Sequence, residues 1–338
     1  MNEQNISHRR VRTQPLATVL IRARTADLIT DIERLAEVAG VDTAAVAPGE
    51  DAPPAVLTLL EDQAGAVRAS FNELFQPEFA GKCVLVSPRT QPADLLELFV
   101  AAGASQRGQI IGVLGAHGGA GASVCAAMVA RQLAGDRAAT TLVDMDPYSG
   151  GLGEMLSLEE RGKRWPDITQ ESGTLLPGRL AASLPRWHGV QVLSGDRRGG
   201  VPTTGRSGIL AVGSLAQVSA VTVLDLPRLV LHKQGAAHEW LSWLDHLLLI
   251  TRPHLLSLAA ARRVLGLLPD VDTTLIVGGV RSIGQAEDAA HQLGVTDACP
   301  LRFERTFDGD IEHGMSPGDR LRSGSARDIR RIATRVLQ

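Results

Sequence analysis

The sequence predicts an α/β protein, with a small α/β domain over residues 15–105 followed by a doubly wound, mostly parallel sheet over 108–338. Three observations carry this reading. Short apolar runs of strand length alternate with helical periodicities along the chain. A small, polar stretch from Gly103 to Gly108 interrupts the alternation, which then restarts. A glycine-rich turn, Gly115 to Ser123, stands between a strand and a helix. The 338 residues suit about two domains, and 44% hydrophobic against 21% charged residues is enough to bury real cores.

Residues 1–14 are polar and are expected to form a flexible N-terminus. Ala17 to Ile21 then reads as a buried strand, and Ala26 to Ala39 as a helix, with Leu28, Ile29, Ile32, Leu35, Ala36 and Ala39 on one face. Further β-like runs at Val41 to Ala47, Ala55 to Leu60 and Lys82 to Ser87 are separated by Pro48, Gly49, Pro53, Pro54 and a second helical stretch. Pro92 to Ala102 makes a closing helix, so a small parallel α/β domain is expected. In the second domain the strands are Gln109 to Gly115, Thr140 to Val143, Gly189 to Leu193, Ser219 to Leu224, His246 to Ile250 and Thr273 to Val277. Helices are expected at Val124 to Leu133 and Leu255 to Leu267, with the end of another at Trp240 to Leu244, while Ser194 to Gly208 reads as an exposed loop.

Composition narrows the function classes. A net charge of −3 and 3% aromatics give neither a basic field nor a stacking surface, so DNA is disfavoured as a partner. Cys83, Cys125 and Cys299 lack the spacing of a zinc site or a disulfide framework, which fits a reduced cytoplasm. Met1 to Arg12 has no apolar run of signal-peptide length, and Leu247 to Leu268 is broken by charges and a proline, so neither secretion nor membrane spanning is expected. Hydrolase and oxidoreductase signatures (HExxH, GxSxG, GxGxxG with an acidic clamp) are missing.

The informative segment is Ala116-His117-Gly118-Gly119-Ala120-Gly121-Ala122-Ser123. Glycines let backbone N–H groups turn inward, and the following helix adds positive potential where a phosphate would sit. Asp144 and Asp225 each end a strand, where the edges of an open parallel sheet converge on one crevice, and Asp146 follows closely.

With the run Val143 to Gly153, Arg164-Trp165-Pro166-Asp167 and Thr251-Arg252-Pro253-His254, this loop resembles the deviant P-loop NTPases of the MinD and ParA type. Their loop reads Lys-Gly-Gly-x-Gly-Lys-Thr/Ser. Within that group the likeness is to CpaE-like and TadZ-like localisation proteins and to septum site-determining proteins of the Ssd type, over about residues 108–338. The resemblance implies an ATP/ADP site with Mg²⁺ and no other cofactor. His117, Gly118, Gly119, Ala120, Gly121, Ala122 and Ser123 would line the nucleotide, Ser123 and Asp225 would hold Mg²⁺, and Asp144 and Asp146 would stand as catalytic relics.

His117 stands where the family has its signature lysine and Ala122 where it has the second loop lysine. A charged hydrogen bond is worth roughly 1.5–3 kcal/mol, so losing the second loop lysine costs about tenfold to a hundredfold in affinity. Removing one preorganised donor typically costs about 10²–10³ in rate, and phosphoryl transfer depends almost wholly on such donors. Binding is therefore expected to be weak or absent, and turnover slow or absent. Gly278-Gly279-Val280 replaces the asparagine with which the family holds adenine. A cation brought from Lys163, Arg131 or a partner's arginine would restore an ATPase.

The resemblance also implies a receiver-like front domain. Its acidic pair after the first strand is replaced by Arg22-Ala23-Arg24, and Ser87-Pro88-Arg89 stands where a lysine belongs. The domain therefore reads as a pseudo-receiver for docking or dimerisation, although Glu61 and Asp62 follow the third strand. Expected partners are proteins of the division or pilus/secretion machinery and a second copy of the chain, with recruitment to the septum, the pole or the inner membrane face. The terminal run 325–338 sets Ile329, Ile332, Ala333 and Leu337 against Arg327, Arg330, Arg331 and Arg335. Such a helix lies on an anionic membrane or docks on the sheet, and the short stripe without Trp or Phe favours docking.

Overall fold

The structure, a computed structural model, describes residues 17–50, 55–62, 65–71, 83–103, 107–136, 138–148, 151–158, 161–170, 175–201, 207–304 and 307–337. The expected flexible N-terminus, Lys82 and Arg206 lie outside them. The chain divides into two units, Met1–Gln106 and Arg107–Gln338.

In the first unit the elements are β1 (Ala17–Arg22), α1 (Ala26–Ala39), β2 (Thr43–Val46), β3 (Ala55–Glu61), β4 (Val67–Phe71), β5 (Cys83–Val86) and α2 (Pro92–Gly103). The sheet order is β2-β1-β3-β4-β5, with β1 parallel to β2 and β3. The expectation of a wholly parallel domain fails at β4 and β5, which run antiparallel to their neighbours. Only residues 62–66 join β3 to β4, too few for a parallel crossover and enough for a hairpin. A strand follows β3: Val67 and Ala69 are buried on one face while Arg68 faces solvent, a period of two; residues 72–82, where the second helical stretch would also fall, lie outside the described residues. Glu61 caps α1, accepting from Arg24 N at 2.6 Å and from the Thr25 hydroxyl, and these bonds hold its carboxyl below the usual range. Asp62 pairs with Arg68 at 3.3 Å.

The second unit contains β6 (Gln109–Gly115), α3 (Ala122–Gly135), β7 (Thr140–Asp144), α4 (Leu152–Met155), α5 (Trp165–Gln170), α6 (Pro177–Ser183), β8 (Arg186–Trp187), β9 (Val190–Leu193) and α7 (Ser207–Val218). It continues with β10 (Val221–Leu226), β11 (His246–Thr251), α8 (Leu255–Leu265), β12 (Thr273–Gly278), α9 (Ile283–Leu293), β13 (Ala298–Leu301), α10 (Phe307–Glu312) and α11 (Gly324–Val336). Strand order is β13-β12-β11-β6-β10-β7-β9-β8, parallel throughout except for the β8–β9 hairpin.

Both faces of this sheet are covered, so its strands are apolar on both sides. Along β6, Ile110 and Leu114 join one core with Leu215, Val264 and Ala286, while Ile111 and Val113 join the other with Val129, Leu133 and Ile332. Two expectations need correction. Trp240 to Trp243 belong to a 3-10 helix, Ala236–Trp243, with Leu244 following in extended conformation, rather than to the end of an α-helix. The loop expected to run to Gly208 gives way to α7 at Ser207, a helix apolar nearly all round and therefore without a period to read.

The helix α11 docks. Ile329, Ile332, Ala333 and Val336 are buried in the α3 core, and Ser323 caps its first turn by accepting from Ala326 N at 3.1 Å. Of the expected stripe, Ile329, Ile332 and Ala333 are thus spent inside the protein, while Leu337 is exposed and Val336 takes its place in the core; Arg327, Arg330, Arg331 and Arg335 are left on the exposed side.

Candidate functional site

The site is built where β6, β7 and β10 deliver their carboxyl ends. After Gly115 the chain stays on the sheet for one residue, Ala116 N donating to Ile250 O at 2.8 Å. It then turns back through Gly119 (φ 72°) and Gly121 (φ 96°), left-handed values that a side chain would strain. Ala120 N donates to His117 O at 3.3 Å, and Cys125 N to Gly121 O at 3.0 Å opens α3. The loop therefore has the strand–turn–helix form of a phosphate cradle. Gly118 and Gly119 are exposed, Ala120 is buried, and Ala122 is the first residue of α3.

Cations are scarce at this loop. The His117 ring folds back on it, Nδ1 lying 2.9 Å from the Gly118 carbonyl, while its Nε2 is buried without a partner among the described residues. Arg131 is committed elsewhere: Nη1 donates to Asp319 and to Pro317 O, both at 2.7 Å, and the guanidinium lies over Trp187.

The carboxylates are brought together. Asp225 and Asp144 are register partners across parallel β10 and β7, and both are buried. Burial, reinforced by the negative charges of Asp144 and Asp146, pushes Asp225 up to about 7 against the pull of the Ser123 hydroxyl, which donates to it. Burial also raises Asp144, although its Oδ1 accepts from Asp146 N at 3.1 Å and its Oδ2 from Leu152 N at 3.1 Å and Ser194 Oγ at 2.9 Å. Trp165 Nε1 donates to the Asp144 carbonyl at 2.7 Å. Asp146 makes a tight local turn, its Oδ1 accepting from Tyr148 N at 2.9 Å. Burial pushes the neighbouring Cys125 thiol up to about 12, so it is an inert core residue.

Ser123 and Asp225 are therefore placed as a hydroxyl–carboxylate pair beside the glycine turn, and their oxygen chemistry fits a Mg²⁺-nucleotide. The positions taken by His117 and Ala122 do not supply the lysine charges. Asp144 has most of its oxygen capacity engaged in ordering the chain between β7 and α4. In the loop that begins at Ser194, Arg198 forks onto Asp167 at 2.7 and 3.0 Å and onto Asp196 at 2.6 Å, holding both carboxyls below the usual range. A cavity of about 370 Å³ opens beside the loop, lined by Gly119, Gly121, Arg252, Phe303 and the 315–320 segment. Arg252 and Phe303 carried no assigned role in the sequence, although Arg252 sits in a motif that stood out there.

No protein-family model matches the chain. Two uncharacterized proteins from two strains of Mycobacterium tuberculosis are 34% identical over 235 residues, 68% of this chain and 63% of each relative. The chain thus spans less than two thirds of the length of the curated relatives it matches. Among solved structures, the ParA family ATPase of Chlorobium tepidum aligns with a TM-score of 0.54 at 19% identity, over 68% of this chain and 98% of that one. The Aquifex aeolicus MinC:MinD cell division complex aligns at 0.56 with 17% identity, over 68% and 95%. The Pyrococcus horikoshii septum site-determining protein MinD, complexed with Mg-ADP, aligns at 0.50 with 17% identity, over 68% and 95%. The large, mostly parallel sheet with its glycine loop therefore has the fold of the MinD/ParA P-loop ATPases.

Proposed function

We propose that the protein is a spatial regulator of the MinD type, acting in septum placement and cell division through protein partners, with a nucleotide site that has lost efficient turnover. The observation that carries this is the mismatch at one loop. The cradle and the Ser123–Asp225 pair are intact, while both lysine positions hold residues that bring no lysine charge. A bound Mg²⁺-nucleotide would supply phosphate charge and a divalent cation at the loop. The chain's own contribution would be loop amides on phosphate, Ser123 and Asp225 on the metal, and Asp144 holding the β7–α4 segment in place. The MinD relatives described with MinC and with Mg-ADP support a partner-binding, nucleotide-responsive reading of this fold. The intact metal pair favours retained binding over complete loss, which is also what a polar localisation factor for a pilus or secretion apparatus would need.

The test is steady-state phosphate release from Mg-ATP by the full chain and by Asp144→Asn. The two are expected to be indistinguishable near background, because two missing donors each cost about 10²–10³ in rate. Turnover abolished by the substitution would overturn the reading. A fluorescent fusion in the native cell is expected to concentrate at division sites, and polar foci that follow a secretion apparatus would favour the alternative.

A further inference from the structure

On the side away from the carboxylates, the glycine loop is walled by Arg252. This residue follows β11, which lies beside β6 in the sheet, so its side chain reaches the same edge as the loop. Its Nη2 donates to the Gly119 carbonyl at 3.2 Å, and its guanidinium carbon stands 5.1 Å from the centre of the Phe303 ring. Phe303 is itself fixed between two glycines: a Cβ at Gly121 would meet the ring at 3.4 Å, and one at Gly278 would meet it at 2.4 Å. A guanidinium over an aromatic face is held there by cation–π attraction.

The guanidinium is also under-used. Its Nε is buried and has no partner among the described residues, as is true of Nε2 of His117 in the same loop. A buried guanidinium N–H without a partner is costly, so its presence beside a cavity needs a reason. The other arginines of that cavity have theirs: Arg302 forks onto Asp328 at 2.8 and 2.7 Å, and Arg320 onto Asp310 at 2.7 and 2.8 Å.

We propose that Arg252 is the loop's working cation: held over the ring of Phe303, it binds in cis the phosphate of a nucleoside di- or triphosphate and replaces the charge that His117 and Ala122 do not bring. This rests on the nucleotide reading of the same site. The contact from Nη2 to Gly119 O is a resting one, which a phosphate oxygen replaces while Nε gains its first partner. Side-on Nε/Nη2 pairing is the geometry with which arginine takes phosphate. Phe303 acts as a positioning residue.

The test is calorimetric titration of the full chain with Mg-ADP and, separately, with inorganic pyrophosphate. The variants are Arg252→Gln, Arg252→Lys and Phe303→Leu, with Arg320→Gln as a control and thermal unfolding run on each. Arg252→Gln is expected to weaken both probes about ten- to a hundredfold. Arg252→Lys should recover part of the loss, Phe303→Leu should fall between, and Arg320→Gln should match wild type. Equal binding by wild type and Arg252→Gln overturns the proposal, and so does a wild type that binds neither probe at millimolar concentration. The second result would leave the loss of turnover standing. Efficient hydrolysis together with weakened binding in Arg252→Gln would support Arg252 and overturn the functional reading instead.

Discussion

Replacing Trp165 by alanine is expected to cost about 3–5 kcal/mol of folding stability, the range for truncating a large buried aromatic side chain. The indole is fully buried in a core with Val143, Met145, Ile168, Leu180 and Leu193. It also spans the site, because Nε1 bonds the Asp144 carbonyl at 2.7 Å and the backbone N bonds Ser194 O at 3.1 Å. Trp165→Phe separates the two effects. It keeps most of the apolar area but removes the indole N–H that donates to the Asp144 carbonyl, a loss of about 0.5–1.5 kcal/mol for one hydrogen bond. Urea unfolding followed by far-UV circular dichroism reads both, and a loss below about 1 kcal/mol in Trp165→Ala would remove the indole from its anchoring role.

Asp225→Asn is expected to stabilise the protein at pH 8 and to leave it unchanged near pH 4. Burial lifts this carboxyl from 3.8 to about 7, so the folded chain holds a proton there that the unfolded chain has already released. Stability from this group is fully present below the unfolded value and is lost as pH rises through about 7, because the native state binds more protons over that window. The displacement corresponds to at most about 4 kcal/mol, an upper bound for the gain in the amide variant at alkaline pH. Denaturation of both proteins in EDTA from pH 4 to pH 8 checks it. The gap should open between those limits, and a constant gap would show that Asp225 does not carry the proton.

The two carboxylate ends and the glycine turn were legible because each is local. Glycine spacing declares the turn, and an acidic residue closing an apolar run declares a strand end facing a crevice. The residues that complete the site are not local. Ser194 lies 50 positions from Asp144, and Gly119 lies 133 positions from Arg252, so only the order β11-β6-β10-β7-β9 brings each pair together. The β13 strand, Ala298–Leu301, holds Pro300, which suits an edge strand but hides it from a pattern search. In the first unit, the run at Val67–Phe71 is short and interrupted by Arg68, and only pairing with β3 shows that it turns back.

The tie between Arg302 and Asp328 makes the end of the chain a reporter of the site. Asp328 is fully buried in α11 and accepts three bonds from Arg302, from its backbone N at 2.9 Å, Nε at 2.8 Å and Nη2 at 2.7 Å. Arg302 immediately precedes Phe303, so the wall that stacks on Arg252 and the terminal helix are mechanically coupled. A spin label or fluorophore at the exposed Arg330 position would sense any shift of that wall from outside the cavity, without touching the loop whose occupancy it reports.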